Sequence, residues 1–465
     1  MSALPPLDPG ERDSFRAFLH ALDRRGELAR IATPFDPAGF DVSACLAALD
    51  DGPALLFAAA DAAGIPLAGN VVNSIDRIAL GLETSRAALG ERIAGAIARP
   101  LAPTPAARAP VQDVEMKPDL DALPIPRFFE HETGPYITAG CIVARDAATG
   151  RGNVSFARLK PLGGARALIG IAPNHHLAVL ARAAGERGQR LPIAVTLGNH
   201  PSVLVAAALY LDLGDDELEV AGALLGRPVE VARCRTSDLA VPAHCEIVLE
   251  AEIDTATRVE EGPVSEYHGM YERYGAGYVA TVTAITRRRD AVFQVIEPGF
   301  HAEHVLIGGV AIAAGLRERL RRLVPAVRRV AVPMGGCGRL AAVVTLAPEH
   351  GAHDARQVIE AALPMVNLIK QVTVVDDDVD PWDETAVRWA VATRMRAERD
   401  IVVVEGLRTD RSEPLKTGGA IAKLGLDATR RAQDRADWTR AEPPQAARAR
   451  VAPIVAAIAR GARQA

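Results

Sequence analysis

Residues 136–159 read YITAGCIVARDAATGRGNVSFARL. Two runs rich in β-branched and small apolar residues, 136–145 and 153–159, flank DAATGRG, whose Asp and two glycines favour a turn. The stretch predicts a β-hairpin. Its second arm carries an amide and a guanidinium, Asn153 and Arg158, five positions apart. Strand-like runs continue at 167–171, 192–197, 229–233, 246–253, 277–286 and 291–296, interrupted by helical patterns at 176–184 and 201–209. Many strands with few inserted helices predict a barrel-like sheet.

The flanks differ from this middle. The first hundred residues alternate helix-like and strand-like runs, and the Pro/Ala-rich segment 99–110 breaks both periods and reads as a linker. From about residue 302 the alternation returns, with helical patterns at 304–323 and 354–363 and strands at 328–332, 340–346 and 371–375. A final amphipathic stretch covers 446–462. Apolar residues make up 49% of the 465 and aromatics only 4%, so the core must be built from Ala, Val, Leu and Ile. The net charge of −5 gives no reason to expect nucleic-acid binding. Five scattered cysteines without a Cys-x-x-Cys pair argue for a reducing compartment. With no apolar run long enough to span a bilayer, the expectation is a soluble, cytoplasmic protein that does not bind membranes.

Glu261-Gly262-Pro263-Val264-Ser265-Glu266 places two carboxylates on one short, stiff turn, since Gly-Pro disfavours a helix. An arginine held near two carboxylates can keep one ionised while another carries a proton. Alone, such a turn is common on protein surfaces. Its context is more specific. Tyr267-His268-Gly269-Met270-Tyr271 and a Val/Thr/Ile strand follow it, and Ala221-Gly222-Ala223-Leu224 and 241–250 (VPAHCEIVLE) precede it. This order, with 15–31 at the start, Pro66-Leu-Ala-Gly-Asn70, the acidic strand end and Trp-Ala helix within 375–394, and Leu424-Gly-Leu-Asp-Ala-Thr429, resembles the UbiD-like decarboxylases over nearly the whole chain. One position departs from that pattern: Ser265 stands where the family's turn usually carries Gly. Ser is costly there only if the residue needs a positive φ.

The resemblance implies an N-terminal α/β region (1–110), a central split β-barrel that binds flavin and carries the active site (111–301), a C-terminal α/β oligomerisation domain (302–435) and a terminal helix (436–465). It implies prenylated FMN as cofactor, Mn²⁺ or Mg²⁺ between protein and flavin phosphate, K⁺ as a further candidate ion, a flavin prenyltransferase as cofactor supplier, and a homodimer or higher homo-oligomer. It assigns Arg158 to the substrate carboxylate, Glu266 to proton return and Glu261 to the charge network. It assigns Asn153, His175 and Glu217 to the metal, with His176 as the rival of His175. Phe300, His301, His304 and Ile307 fall on the expected pocket wall. The implied reaction is reversible non-oxidative decarboxylation of an aromatic or heteroaromatic acid. The alternative is a non-catalytic assembly subunit on the same fold. No Gly-x-Gly-x-x-Gly follows a strand; Gly335-Gly-Cys-Gly338 lacks the Lys-Ser/Thr of a phosphate loop, and Lys416-Thr-Gly-Gly419 has the order reversed, so a nicotinamide enzyme is not expected.

Overall fold

The computed structural model describes residues 4–59, 64–415, 418–431, 433–435 and 437–462. Lys416 and Thr417 lie outside the described residues. The expected hairpin forms: β1 (Cys141–Arg145) pairs antiparallel with β2 (Gly152–Phe156). Ala157 alone separates β2 from β3 (Arg158–Pro161), which pairs with β4 (Arg166–Gly170). The sheet continues through β5 (Leu191–Leu197), β6 (Ile247–Glu260) and β7 (Ala276–Arg287) in the order β2-β1-β5-β6-β7-β4-β3, and an eighth strand, Val114–Met116, pairs with β7 off this path. Its two edge strands are therefore consecutive in sequence, so the sheet must curl back on itself into a half-barrel. Asn153 and Arg158 flank that seam.

Long β6 explains the sheet's mixed surroundings. Its first five residues are all buried, and toward its end half-buried and exposed positions alternate as the strand leaves the core. A register shift between Asp254 and Arg258 bends β6 against β7 there. The two strands then run on to Glu260 opposite Ala276, which delivers Glu261 to the open end of the barrel.

Three expectations need correction. The segment 99–110 is no free linker: Thr104–Pro105 pairs in parallel with Glu230–Arg233, because the Pro/Ala residues still expose backbone groups to a sheet edge. Strand Glu230–Arg233 belongs to that separate three-stranded sheet, not to the barrel. Phe293–Gln294 also leaves the barrel and pairs with Leu67–Gly69, completing the N-terminal sheet of Leu28–Ile31, Ala54–Phe57 and Leu67–Gly69. Phe293–Gln294 is buried like a barrel strand, so hydrophobicity could not set it apart, whereas Glu230–Arg233 is half-buried to exposed.

The N-terminal region is fixed to the barrel by a buried ion pair. Arg16, on the helix Phe15–Arg24, donates to both carboxylate oxygens of Glu246, at 2.9 and 2.7 Å. Toward the C-terminus a five-stranded sheet, Val327–Ala331, Ala341–Leu346, Gln371–Asp376, Ala420–Ala428 and Ile401–Arg408 in spatial order, has its own core. The helix Ala302–Leu323 ties the two cores together: Leu306, Ile307 and Val310 pack on the barrel side, and Ile312, Leu316 and Leu320 on the other. Helix Gln445–Ala462 closes the described chain and leaves Val451, Ile454, Val455 and Ile458 exposed. Among the described residues no helix is long and apolar enough to cross a membrane.

Candidate active site

A cavity of about 520 Å³ opens at the barrel seam and is closed by the helix Ala302–Leu323 and the segment 410–412. Asn153, Arg158, His175, Glu217, Glu266, His304 and Ile307 all line it. Two arrangements occupy its ends.

At one end lies the acid/base group. Arg158 and Gly170 are register partners across β3 and β4. Without a side chain at Gly170 the guanidinium can lie over the backbone; a Cβ there would come within 2.9 Å of Glu261 Oε2 and 3.0 Å of Arg158 Cζ. Arg158 donates from Nε to Glu261 Oε1 at 2.7 Å and from Nη2 to Glu261 Oε2 at 2.8 Å. The pair is bidentate, and Glu261 is buried. Nη1 makes no hydrogen bond to the described protein residues and is the part of the guanidinium free to meet a ligand. Glu261 and the nearby Glu266 carboxylate hold the Arg158 pKa above its ordinary value against the opposing effect of burial. Tyr274 lies with its ring 5.6 Å from Arg158 Cζ, its hydroxyl raised in pKa by burial and by Glu266.

The turn itself is built from Gly262, at φ +88°, where a Cβ would stand 2.8 Å from Thr133 Cγ2. The positive φ thus falls at Gly262 and not at Ser265. Ser265 sits in the short strand Pro263–Ser265, so its departure from glycine costs no backbone strain. Its N–H and Oγ–H both donate to Glu132 Oε1 at 3.0 Å. Burial raises the Glu132 carboxyl pKa despite those two bonds.

At the other end are groups with unused bonding capacity. Asp216 caps the helix Glu217–Leu225 through the Leu218 N–H, which turns Glu217 inward. Glu217 Oε2 accepts from Val154 N at 2.6 Å and Oε1 from Asn153 Nδ2 at 3.1 Å. Burial and the neighbouring Asp215 and Asp216 raise the Glu217 pKa to about 8. Asn153 Oδ1 and His175 Nδ1 are buried without a hydrogen-bond partner, as is the Oγ of Ser155. His175 occupies the N-cap of the helix His176–Glu186 but its ring makes no capping bond. Burial and His176 lower the His175 pKa to about 4, leaving a neutral imidazole. An amide oxygen, a neutral imidazole nitrogen and a carboxylate that is costly to ionise alone form a donor set that fits a divalent cation. No cluster of three or more His, Cys, Asp or Glu able to hold a metal occurs among the described residues, because the third donor here is an amide.

The expected pocket wall divides. His304 and Ile307 face the cavity. His304 Nδ1 donates to Gly299 O at 2.9 Å, which leaves Nε2 as an acceptor, and burial together with Arg339 lowers its pKa to about 4. Phe300 and His301 are not part of the lining, a correction to the sequence expectation. They precede the helix Ala302–Leu323, with His301 at its N-cap. Phe300 is exposed against Gly269, and His301 stacks on Phe129 with its centroid 6.2 Å away. Four residues escaped the sequence reading: Ser155, Glu132, Tyr274 and Arg339. Ser155 had a signal, since it lies two residues from Asn153 and so on the same strand face. Arg339 directly follows the glycine run dismissed as a loop.

Comparison with known proteins agrees along the chain. The N-terminal, Rift-related and C-terminal domains of 3-octaprenyl-4-hydroxybenzoate carboxy-lyase match residues 19–97, 104–301 and 305–428. Anhydromevalonate phosphate decarboxylase of Methanothermobacter thermautotrophicus is 34% identical, over 78% of this chain and 85% of its own length. The UbiD-class enzyme HmfF of Pelotomaculum thermopropionicum, solved with FMN, superposes with a TM-score of 0.88 at 35% identity, covering 93% of this chain and 97% of the other. An evolved dimeric form of HmfF, solved with prFMN, gives 0.85 at 34% identity, covering 94% and 98%. With domain matches from residue 19 to residue 428 and a superposition over nearly the whole chain, the chain belongs to the UbiD family and is a decarboxylase of that class.

Proposed function

We propose that the protein catalyses reversible, non-oxidative decarboxylation of an unsaturated, aromatic or heteroaromatic carboxylic acid, with prenylated FMN as cofactor. The observation that carries this reading is the placement of Arg158, Glu266 and the Asn153–His175–Glu217 set on one cavity, with Glu261 paired to Arg158. The cofactor, when bound, supplies the electron-accepting centre that an in-plane carbanion cannot find in its own π system. Asn153, His175 and Glu217 would hold Mn²⁺ or Mg²⁺ and through it the flavin phosphate.

The remaining steps belong to side chains. Because Glu261 occupies Nε and Nη2 of Arg158, the substrate carboxylate docks on Nη1 and not on the full guanidinium fork. Glu261 holds the guanidinium in place and balances its charge when CO₂ leaves. Glu266, on the cavity wall, returns a proton to the carbon that has lost CO₂. In the carboxylation direction the same carboxylate removes it, so concentrated bicarbonate should drive the reverse reaction. The supplier of the cofactor is a flavin prenyltransferase. Residues 302–435 serve homo-oligomer assembly, with 1–110 and 111–301 as the other two units and 436–465 as a terminal helix.

A non-catalytic assembly role has less support, since the chain keeps Arg158 and Glu266 on one cavity and Glu261 paired to Arg158. The relatives named anhydromevalonate phosphate decarboxylase act on a phosphate-bearing acid, so the ring preference rests on the apolar Ile307 of the cavity lining and on His304 Nε2, which can accept a ring N–H. The test is a panel of cinnamic, hydroxybenzoic, pyrrole, furan and indole acids with protein co-produced with a flavin prenyltransferase. CO₂ release and ring-proton exchange in D₂O are measured. Turnover and exchange with a heteroaromatic acid are expected. Turnover confined to cinnamic acids overturns the ring preference, and no exchange with any acid overturns the reading.

A further inference from the structure

Glu266 follows a hairpin too small to fix it alone. The strands Pro263–Ser265 and Tyr271–Arg273 are three residues each and form a two-stranded sheet that pairs with no further strand among the described residues. A lone hairpin of that size is marginal in water, so tertiary contacts must set where its side chains point.

Three consecutive residues, His131, Glu132 and Thr133, grip it at three points. The His131 N–H donates to Tyr271 Oη at 3.3 Å, and Thr133 Oγ1 donates to the Glu261 carbonyl at 3.0 Å. Between them, Glu132 Oε1 accepts the N–H and the Oγ–H of Ser265, each at 3.0 Å, one residue before Glu266. One residue after it, Tyr267 Oη donates to Ser412 O at 3.0 Å. Glu266 thus stands between two anchored neighbours.

Glu132 is buried and lies behind the cavity wall, whereas Ser265 and Glu266 both border the cavity. Successive side chains along an extended chain point to opposite faces, so a Ser265 hydroxyl drawn back to Glu132 turns Glu266 the other way. Burial keeps the Glu132 carboxyl toward its neutral form, so these bonds rest on an acceptor oxygen and not on a full charge. Ser265 gives that oxygen a second donor, which glycine would lack. Glu132 Oε2 is buried without a hydrogen-bond partner. Stability alone gives no reason to keep a carboxyl with an unsatisfied oxygen there.

We propose that Glu132 is a positioning residue for Glu266: through Ser265 it fixes the end of the strand Pro263–Ser265 and so aims the Glu266 carboxyl at the carbon that takes the proton. This rests on the decarboxylase reading above and adds to it a residue that touches neither substrate nor cofactor. Orientation matters here because an acid must come within hydrogen-bond reach of the atom it protonates.

The test compares E132A, E132Q and S265A, as flavin-loaded holoprotein, with the acid that wild type turns over best. In E132A the acceptor is gone, and kcat should fall on the order of tenfold with KM changed by less than about twofold, since the acid is present but misaimed. Exchange of the product's proton in D₂O, which uses Glu266 without CO₂, should fall with it. E132Q keeps an acceptor oxygen and should recover most of the lost rate. S265A keeps the N–H bond and should lose about threefold, the order of one neutral hydrogen bond. Flavin content should stay at the wild-type level in all three. A crystal structure of E132A should show Glu266 displaced with the Arg158–Glu261 pair kept. A kcat for E132A within about twofold of wild type overturns the proposal. So does a loss that E132Q fails to recover, a loss confined to KM, or a loss of flavin. If E132A does not fold, S265A decides, and a wild-type kcat there overturns the proposal. If wild type decarboxylates no acid at all, the parent reading falls, and the place of Glu266 in the E132A crystal structure still decides the role of Glu132.

Discussion

The two ends of the cavity solve opposite problems. Around Arg158 and Glu261 the two opposite charges satisfy each other through two short bonds. Around Asn153, His175 and Glu217 three buried atoms lack partners and an acid is held near neutrality, its pKa at about 8. Buried polar groups without partners each cost on the order of 1–3 kcal/mol. The first end is preorganised by the protein alone and can act as soon as substrate arrives. The second carries a deficit that only a ligand removes, so it should tie the stability of the protein to its cofactor.

The sharpest way to break this contrast is at Glu266. E266Q should retain flavin and metal yet lose a factor on the order of 10² or more in kcat, because an amide cannot return the proton. Turnover within a few-fold of wild type would remove Glu266 from the acid role. At the other end, E217A and H175A should leave the fold intact but purify with little metal and flavin, since the phosphate charge loses its compensation. Metal and flavin stoichiometry by mass spectrometry decides this, and a flavin-replete E217A protein would refute the metal assignment.

A smaller effect is expected from G170A. The new Cβ must push Arg158 off Glu261 by a few tenths of an ångström, and kcat/KM should fall by about tenfold through lost orientation. H176A, whose residue starts the helix beside His175 and borders the cavity, should keep its flavin.

The contrast also has a pH signature in metal-free protein. The Glu217 carboxyl is raised from its ordinary 4.5 to about 8, so between those values the native state holds a proton that the unfolded chain has released. Its contribution to stability is therefore present below about pH 4.5 and is lost as pH rises toward 8. Relative to E217Q, metal-free wild type should lose melting temperature across that window. Added Mn²⁺ should stabilise wild type progressively more over the same range, because it displaces that proton. A melting-temperature difference between the two proteins that stays flat with pH would show that Glu217 does not titrate there. The smallest effect is expected at Phe300, which lies outside the cavity: F300A should change kcat/KM by no more than a few-fold.

Much of this was readable along the chain. The turn chemistry of DAATGRG and the apolar runs on either side specified the hairpin β1–β2. The acidic turn 261–266 declared itself through Gly-Pro and the spacing of its carboxylates, since both are local features. Periodicity alone located the helices Ala302–Leu323 and Asp354–Met365 to within two residues. What tertiary structure decided was every relation between distant residues. Asn153 and Glu217 are 64 positions apart and Arg158 and Glu261 are 103, and nothing local predicts that either pair will meet. The curl that brings β2 and β3 together follows from the pairing order of seven strands, which no single strand encodes. The same holds for Phe293–Gln294, whose buried pattern suits a barrel but whose hydrogen bonds go to Leu67–Gly69. Phe300 and His301 show the limit at close range: four and three residues before His304, they stay out of the cavity lining that His304 joins. Patterns of hydrophobicity and turn residues act through neighbours along the chain, whereas a site is set by which backbones pair and how far the sheet bends.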